Sequence, residues 1–305
     1  MDILRSMTVV RYRPGAPLAD YVQSMWWSHR EVPQVGCEHM LPSASTQMIF
    51  ALHDGAYSWK THAADERFTA WTRGIIHGPQ WSYFVSGSKP IGAVAGVSFR
   101  AGTAGALLGL PASELLVHHL PIDEIWGSDA ESIRHRLLEL SEPMAILRAL
   151  EQELLARLTH PLLLHPAIAH ALVDPTQGWG FTRIANVQRR SGYSPKHFIS
   201  LFRNAVGLTP KHYYRIKRFG AALKILADAP RTSLGDGANL PPRANLAELA
   251  ASAGFADQSH LTREFNALAG VTPLNYRPRS PDSALHHLDL GTPTRGARGQ
   301  VKKVL

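Results

Sequence analysis

Five polar residues between positions 258 and 266 have the side chains that read base pairs in double-stranded DNA. Arginine can donate two parallel hydrogen bonds to guanine, and glutamine or asparagine can pair in the same bidentate way with adenine. On a helix these residues fall on the face opposite Leu261 and Phe265. The set is Gln258, Ser259, Thr262, Arg263 and Asn266. The pattern predicts base reading by the exposed face of a helix.

A second set of outward residues lies 63 positions earlier, in a segment with the same core pattern. Phe198 and Phe202 stand there at the positions of Leu261 and Phe265. The outward residues of this first copy are Lys196, Ile199, Ser200 and Arg203. Ile199 can at most contact a thymine methyl group. We therefore expect the two copies to read different bases, with the second copy contributing more of the hydrogen-bonded specificity.

Each copy predicts a helix, a tight turn and a second helix. Gly192 and Gly254 are placed to end the first helices, because glycine readily adopts the left-handed conformation that closes a helix. Ser194 with Pro195 in the first copy, and Asp257 in the second, are typical of a helix start. This order predicts the helix-turn-helix arrangement, whose second helix fits a DNA major groove.

The positive charge is concentrated in the repeated part of the chain. Residues 181–280 contain 15 Lys and Arg against 5 Asp and Glu, whereas residues 1–180 contain 13 against 17. Such a local excess favours binding to a phosphate polyanion, although a merely solvated basic surface is the alternative. One predicted helix joins the two copies, and its cations are expected to hold phosphates: Lys211, Arg215, Lys217 and Arg218.

The chain length of 305 residues predicts two domains. We expect a cytoplasmic protein with no membrane partner, because we find neither a run of about 18 apolar residues nor the apolar core of a signal peptide. The single cysteine, Cys37, cannot form an internal disulfide or a multi-cysteine zinc site. We find no phosphate-binding glycine loop, nucleophile elbow or catalytic carboxylate pair, so the sequence gives little support to an enzyme.

Residues 8–100 predict short strands, rich in valine, isoleucine, threonine and aromatic residues, that form a small antiparallel barrel or sandwich. Small barrels often enclose one ligand, although filling by side chains is commoner. Candidate residues of an effector pocket are Trp26, Trp59, Trp71, Trp81 and Tyr83. Core packing is the alternative reading of these aromatics. The clustered His-x-His spacing of a metal cupin is absent, so no metal or other cofactor is expected.

Residues 101–172 predict helices, and the apolar face of the helix that begins at Pro143 would bury against the barrel or against a second copy of the protein. A Gly/Pro-rich break places the domain boundary near Gly178–Gly180. The segment 229–244 predicts an unusually long loop. The tail, residues 280–305, lacks a core-forming pattern and is predicted to be disordered.

Residues 181–279 resemble the DNA-binding domain of the AraC family of bacterial transcription regulators. The matching segments are IANVQRRSGYSPKHFISLFRNAVGLTPKHYYRIKRFGAALKIL and LAELAASAGFADQSHLTREFNALAGVTPLNYRP. The resemblance implies two helix-turn-helix units joined by a helix, readout helices at residues 195–205 and 258–268, and RNA polymerase as a partner.

The N-terminal half resembles the sensory half of a subgroup of that family. The matching segments are MLPSASTQMIFAL and GVSFRAGTAGALLGLPASELLVHHLPIDEIWG. Ala101 stands where the family's FRPG-like turn has proline, and the loop at 229–244 exceeds the usual connection. The resemblance implies a domain that binds a small effector or a second subunit.

Together these observations predict an α+β chain of two domains. Residues 1–178 would form a cupin-like small antiparallel β-barrel (about 8–100) with following helices (about 101–172), for effector binding and dimerisation. Residues 181–279 would form an all-α domain of two helix-turn-helix units. The function expected is that of a sequence-specific DNA-binding transcription regulator modulated by a small effector. A second copy of the chain, forming a homodimer, is a candidate partner. The alternatives are a small-molecule-binding or enzymatic barrel with an accessory DNA-binding domain, and a non-specific architectural DNA binder.

Overall fold

The computed structural model describes residues 7–34, 36–61, 64–116, 119–158, 164–172, 184–228, 246–278, 285–288 and 302–303. The domain boundary predicted near Gly178–Gly180 and the long loop predicted at 229–244 lie outside the described residues. Most of the tail predicted to be disordered, 280–305, lies outside them as well.

The described strands form two six-stranded sheets. The first sheet is antiparallel throughout, in the order β1 (Met7–Tyr12), β2 (Val22–Arg30), β9 (Gly92–Phe99), β4 (Gln47–Leu52), β7 (Gly74–His77) and β10 (His119–Pro121). The second sheet has the order β11 (His286–Leu288), β3 (Glu38–Met40), β8 (Phe84–Ser86), β5 (Tyr57–Lys60), β6 (Thr69–Trp71) and β12 (Lys302–Lys303), the last pair being parallel.

Helices follow the strands and then replace them. Residues 7–172, which include the segments that resemble the family's sensory half, are called the sensory half below. This half contains α1 (Ala104–Leu108), α2 (Asp123–Trp126), α3 (Ser128–Leu138), α4 (Pro143–Arg157) and α5 (Pro166–Leu172). The C-terminal half contains α6 (Ile184–Arg190), α7 (Pro195–Val206), α8 (Pro210–Asp228), α9 (Leu246–Ser252) and α10 (Gln258–Ala269). The predicted α+β class is therefore confirmed. The closed barrel is not, because the two sheets face each other without joining into one hydrogen-bonded cylinder.

The apolar core of the sensory half lies on one face of the first sheet. Alternate residues such as Met25, Met48 and Val97 are completely buried there, together with Ile133 of α3 and Leu150 of α4. Side chains of a strand alternate between the two faces, so the neighbouring residues point to the second sheet instead. The structure thereby decides between the two partners predicted for α4: its apolar face packs on its own sheet, against β1 and β2.

The two helix-turn-helix units form as the sequence predicts. The Ser194 side chain accepts a hydrogen bond from the backbone N–H of His197 at the start of α7, and Asp257 does the same for His260 at the start of α10. The residues that end both helices, Gly207 (φ +84°) and Gly270 (φ +73°), adopt the left-handed conformation that favours glycine. The helices at 195–206 and 258–269 agree with the predicted readout helices within one residue.

The two halves share cores across the predicted domain boundary. The first unit packs Phe198 and Phe202 with Ile168 of α5 and with Leu116 of the sensory half. The second unit packs Phe265 in a cluster that includes Leu41, which follows β3. Helix α5, assigned from sequence to the sensory domain, therefore contributes to the core of the first reading unit.

A short strand near the C-terminus also joins the two halves. Residues 286–288, in the segment predicted to be disordered, pair antiparallel with β3 as the strand β11. The Leu41 N–H additionally donates a hydrogen bond to the Leu285 carbonyl at 2.8 Å. Core-forming periodicity does not reveal such a strand, because its backbone hydrogen bonds with β3 rather than an apolar face hold it in place.

Candidate functional site

The predicted reading face of α7 lies open to solvent. Lys196, Ile199, Ser200 and Arg203 are all exposed, and Ile199 has 43% of its surface accessible. An isoleucine this exposed on a helix whose other face is completely buried has no packing role of its own. The structure therefore brings the four predicted residues of the first copy together on one accessible face.

The corresponding face of α10 is more polar. Gln258, Ser259, Arg263 and Asn266 are exposed, and Arg263 has no partner among the residues that the structure describes. Thr262 differs from the prediction in one detail, because it is half-buried and its hydroxyl donates to the Gln258 carbonyl at 3.0 Å. Its oxygen can therefore act toward DNA only as an acceptor.

The four cations of α8 do not form one phosphate-binding surface. Lys211 is exposed in the first turn, but the Arg215 Nε donates to Glu264 Oε2 of α10 at 2.6 Å. Lys217 lines a cavity between the two halves, and the Arg218 guanidinium lies over the Phe255 ring, 5.7 Å from its centroid. The sequence cannot separate these roles, because all four residues belong to one basic stretch.

The positions of Lys211 and Arg215 predict that their alanine variants differ in how DNA affinity depends on salt concentration. Lys211→Ala is expected to reduce the slope of log Kobs against log salt concentration by about 0.9, the value for one lost phosphate contact. Arg215→Ala is expected to leave that slope unchanged and to lower the melting temperature, because it removes the ion pair between α8 and α10. Mobility-shift titrations at several salt concentrations measure the slope, and equal slopes in the two variants would contradict the assignment.

The sensory half contacts the C-terminal ends of both reading helices at equivalent positions. A Cβ atom on Gly207 would lie 2.6 Å from the Ala112 carbonyl oxygen, and one on Gly270 would lie 2.7 Å from the Tyr83 ring. His39 also donates from Nδ1 to the Ala269 carbonyl at 2.9 Å. The sensory half thus packs against the C-terminal end of each reading helix.

A cavity of about 1610 Å³ opens between the two sheets and extends to α8. The sheets contribute aromatic and polar side chains, including Trp26, Gln47 and Trp59, while α8 contributes Ile216 and Lys217. A ligand inside this cavity would touch the helix that joins the two reading units.

The five predicted pocket residues divide into two groups. Trp26, Trp59 and Trp71 line the cavity. Trp81 instead lies beside His212 of α8, with ring centroids 5.7 Å apart, and Tyr83 stacks on His39 beneath Gly270. These last two aromatics belong to the contact between the halves.

Sequence reasoning missed a pair of histidines beside the cavity, one of which, His77, lines it. His77 and His119 are directly opposite each other on β7 and β10, and their Nδ1 atoms share a hydrogen bond. The rings of Trp59 and Phe84 cover the pair, with centroids 3.9 and 4.5 Å from that of His119. Only the pairing of the two strands reveals this cluster. The described residues contain no group of three or more side chains suited to hold a metal ion.

The half-buried imidazole of His77 predicts a pH-dependent stability. Burial, reinforced by the charge of Lys89, lowers the pKa of His77 to about 4. Between about pH 4 and the ordinary histidine pKa of about 6.5, the unfolded chain therefore binds a proton that the folded chain does not. Stability should fall as the pH is lowered through this window.

Thermal melts of a His77→Phe variant between pH 4.5 and 7.5 check this. The variant should show a flatter pH dependence than the parent chain, whereas His170→Phe, at an exposed position of α5, should retain the parental slope. A parental slope in His77→Phe would show that this imidazole is not the group responsible.

Two family models match the chain. One, described as a helix-turn-helix domain, matches residues 187–279. The other, described as a domain of unknown function (DUF6597), matches residues 10–121. The helix-turn-helix match spans both units and the helix that joins them, which is the AraC-type arrangement.

The chain therefore contains a helix-turn-helix domain of the AraC type.

Solved structures similar to this chain include two of ToxT from Vibrio cholerae. ToxT bound to (E)-4-(8-methylnaphthalen-1-yl)but-3-enoic acid is 10% identical over 88% of this chain and 97% of its own, with a TM-score of 0.44. ToxT bound to an unsaturated fatty acid is 9% identical over 88% and 93%, with a TM-score of 0.43. The AraC-like transcriptional activator CuxR is 13% identical over 70% and 86%, with a TM-score of 0.28. No curated protein sequence matches the chain.

This domain supports DNA binding and a role in transcription regulation. No helix in the described ranges is long and apolar enough to span a membrane.

Proposed function

We propose that α7 and α10 read bases in successive major grooves on one face of the duplex, about one helical turn or 10 base pairs apart. The observation that carries this proposal is the pair of exposed polar faces on equivalent helices, each backed by a buried aromatic core. Lys211 holds a backbone phosphate beside α7. Residues on α10 supply more of the hydrogen bonds to bases, because that face has an arginine, a glutamine and an asparagine.

The sensory half positions the two reading helices, and an effector bound to it controls that position. It contacts the terminal glycines Gly207 and Gly270, and its cavity reaches the joining helix α8. A ligand that binds one placement of these helices better than another shifts the population of the DNA-binding state. The resemblance to the AraC family further points to RNA polymerase and a second copy of the chain as partners, and to the cytoplasm as the place of action.

Mobility-shift assays of the full chain against genomic fragments, followed by footprinting, test the reading mode. The full chain is needed because the cores of both units include residues of the sensory half. We expect two protected patches about 10 base pairs apart and a steep salt dependence. Equal affinity for all fragments would reject sequence-specific reading and leave only a non-specific DNA binder.

A further inference from the structure

The floor of the cavity has a continuous row of uncharged polar side chains. Ser24, Ser98, Gln47 and His77 are register partners on the neighbouring strands β2, β9, β4 and β7. All four line the cavity and are half-buried. We call these four residues the polar ladder. An interior filled only for stability would have apolar side chains here, because buried polar groups need hydrogen-bond partners.

The length of the polar ladder follows from sheet geometry. Its four residues span three strand spacings of about 4.8 Å, so its ends are about 14 Å apart. The His77 end is already engaged with His119 through Nδ1, which leaves Nε2 as the atom that can meet a ligand. The ladder can therefore hydrogen-bond an elongated molecule at both of its ends.

Flat aromatic surfaces border the polar ladder. The Trp26 indole lies across the backbone of β9 at Gly96, where an added Cβ atom would come within 2.3 Å of its Cζ2. Glycine is therefore required for this position of the ring. On the opposite sheet, Trp59 and Phe84 cover the His77 end, and Trp71 stacks on Tyr57 with centroids 4.7 Å apart. Such ring faces bind planar groups by stacking.

The four side chains of the polar ladder favour uncharged groups on the ligand. None of its four side chains bears a formal charge when His77 is neutral, which is its state at physiological pH. Several lysines and arginines line other positions of the cavity, and one of them, Lys89, donates a hydrogen bond to the completely buried Glu38 carboxylate. Its charge is thereby balanced within the protein.

We propose that this cavity binds an elongated, planar, uncharged polycyclic aromatic compound with hydroxyl or keto groups at both ends, of the flavonoid class. The rings would stack on Trp26 and between the sheets, and the terminal oxygens would bond to the polar ladder. The inference rests on the effector-controlled function proposed above and names the chemistry of its effector.

Two probes of the same shape test the proposal on the full chain. Apigenin has hydroxyl groups at both ends, whereas flavone is its unhydroxylated parent. We expect apigenin to quench tryptophan fluorescence saturably and to raise the melting temperature. Flavone should bind at least about tenfold more weakly, because it would leave the ladder's polar groups without partners. Equal binding of the two probes, or saturable binding of decanoate with none of apigenin, would overturn the assignment.

Single substitutions distinguish the hydrogen bonds of the polar ladder from ring stacking on Trp26. Gln47→Met should weaken apigenin binding about fivefold, the effect of one lost hydrogen bond, and leave the affinity for flavone unchanged. Met48→Leu is the matched control, because Met48 points to the opposite face and is completely buried in the core. Trp26→Leu should weaken both probes alike. If Met48→Leu lost as much apigenin affinity as Gln47→Met, the role of the ladder would be overturned.

Mobility shifts with the same preparations distinguish the two proposals. Sequence-specific shifts by a chain that binds neither probe would overturn the ligand class and leave the regulator intact. Apigenin binding by a chain without any sequence preference on DNA would instead overturn the reading mode and leave the ligand class intact.

Discussion

Replacing Phe265 with alanine is expected to lower the free energy of unfolding by about 3–5 kcal/mol, the usual cost of emptying a buried phenylalanine site. The ring is completely buried, with the Phe219 and Tyr276 ring centroids 4.9 and 6.2 Å away. The surrounding side chains come from α8, α9 and the segment after α10, so the cavity left behind cannot be filled by the movement of one element.

Urea unfolding followed by helical circular dichroism measures this loss. Leu274→Ala is a suitable control, because Leu274 is 46% exposed in the same unit and its truncation should cost less than about 0.5 kcal/mol. Phe202→Ala should cost as much as Phe265→Ala, since it is the equivalent buried residue of the first unit. A loss of less than 1 kcal/mol for Phe265→Ala would mean that the second core is not packed as described.

Replacing Arg263 with alanine should weaken binding to the best DNA site by about 1–3 kcal/mol, or roughly 5- to 150-fold. Arg263 is exposed on the polar face of α10 and has no partner in the described part of the protein. Its guanidinium is therefore available for two hydrogen bonds to one guanine. The loss should be confined to fragments that have the preferred base, and discrimination at that base pair should disappear.

Mobility-shift titrations compare this variant with Arg148→Ala, which removes an equal charge from an exposed position of α4. The control should bind DNA like the parent chain. We further expect base substitutions under α10 to cost more affinity than those under α7, where Ile199 offers only an apolar contact. Parental affinity of Arg263→Ala for the best site would remove this arginine from the set of base-reading residues.

The reading helices were predictable because their signals are local. The Ser194 and Asp257 side chains each accept a hydrogen bond from the N–H group three residues later in the chain. Phe198 and Phe202 lie on one face because they are about one helical turn apart. Such contacts depend on the neighbouring sequence alone, so a second copy 63 residues later repeats them. The same periodicity assigned the exposed residues of α7 and α10 to the outer face.

The partners of α8 and the contents of the cavity were not predictable in this way. Four cations lie within eight residues of one another, and only the position of α10 decides that Arg215 meets Glu264 while Lys211 stays exposed. Likewise, Trp81 and Trp59 are indistinguishable as residue types, but the tertiary structure places Trp81 at the contact between the halves and Trp59 in the cavity.

The sequence by itself therefore determined the two helix-turn-helix units, their caps and the residues that they present outward, because these follow from spacings of three and four residues. The tertiary structure decided what lies between the halves: the shared cores, the strand β11, the polar ladder and the contact from His39 to Ala269. That contact joins residues 230 positions apart. Periodicity in one segment carries no information about which distant segment packs against it, and that packing places the cavity against the helix that joins the two reading units.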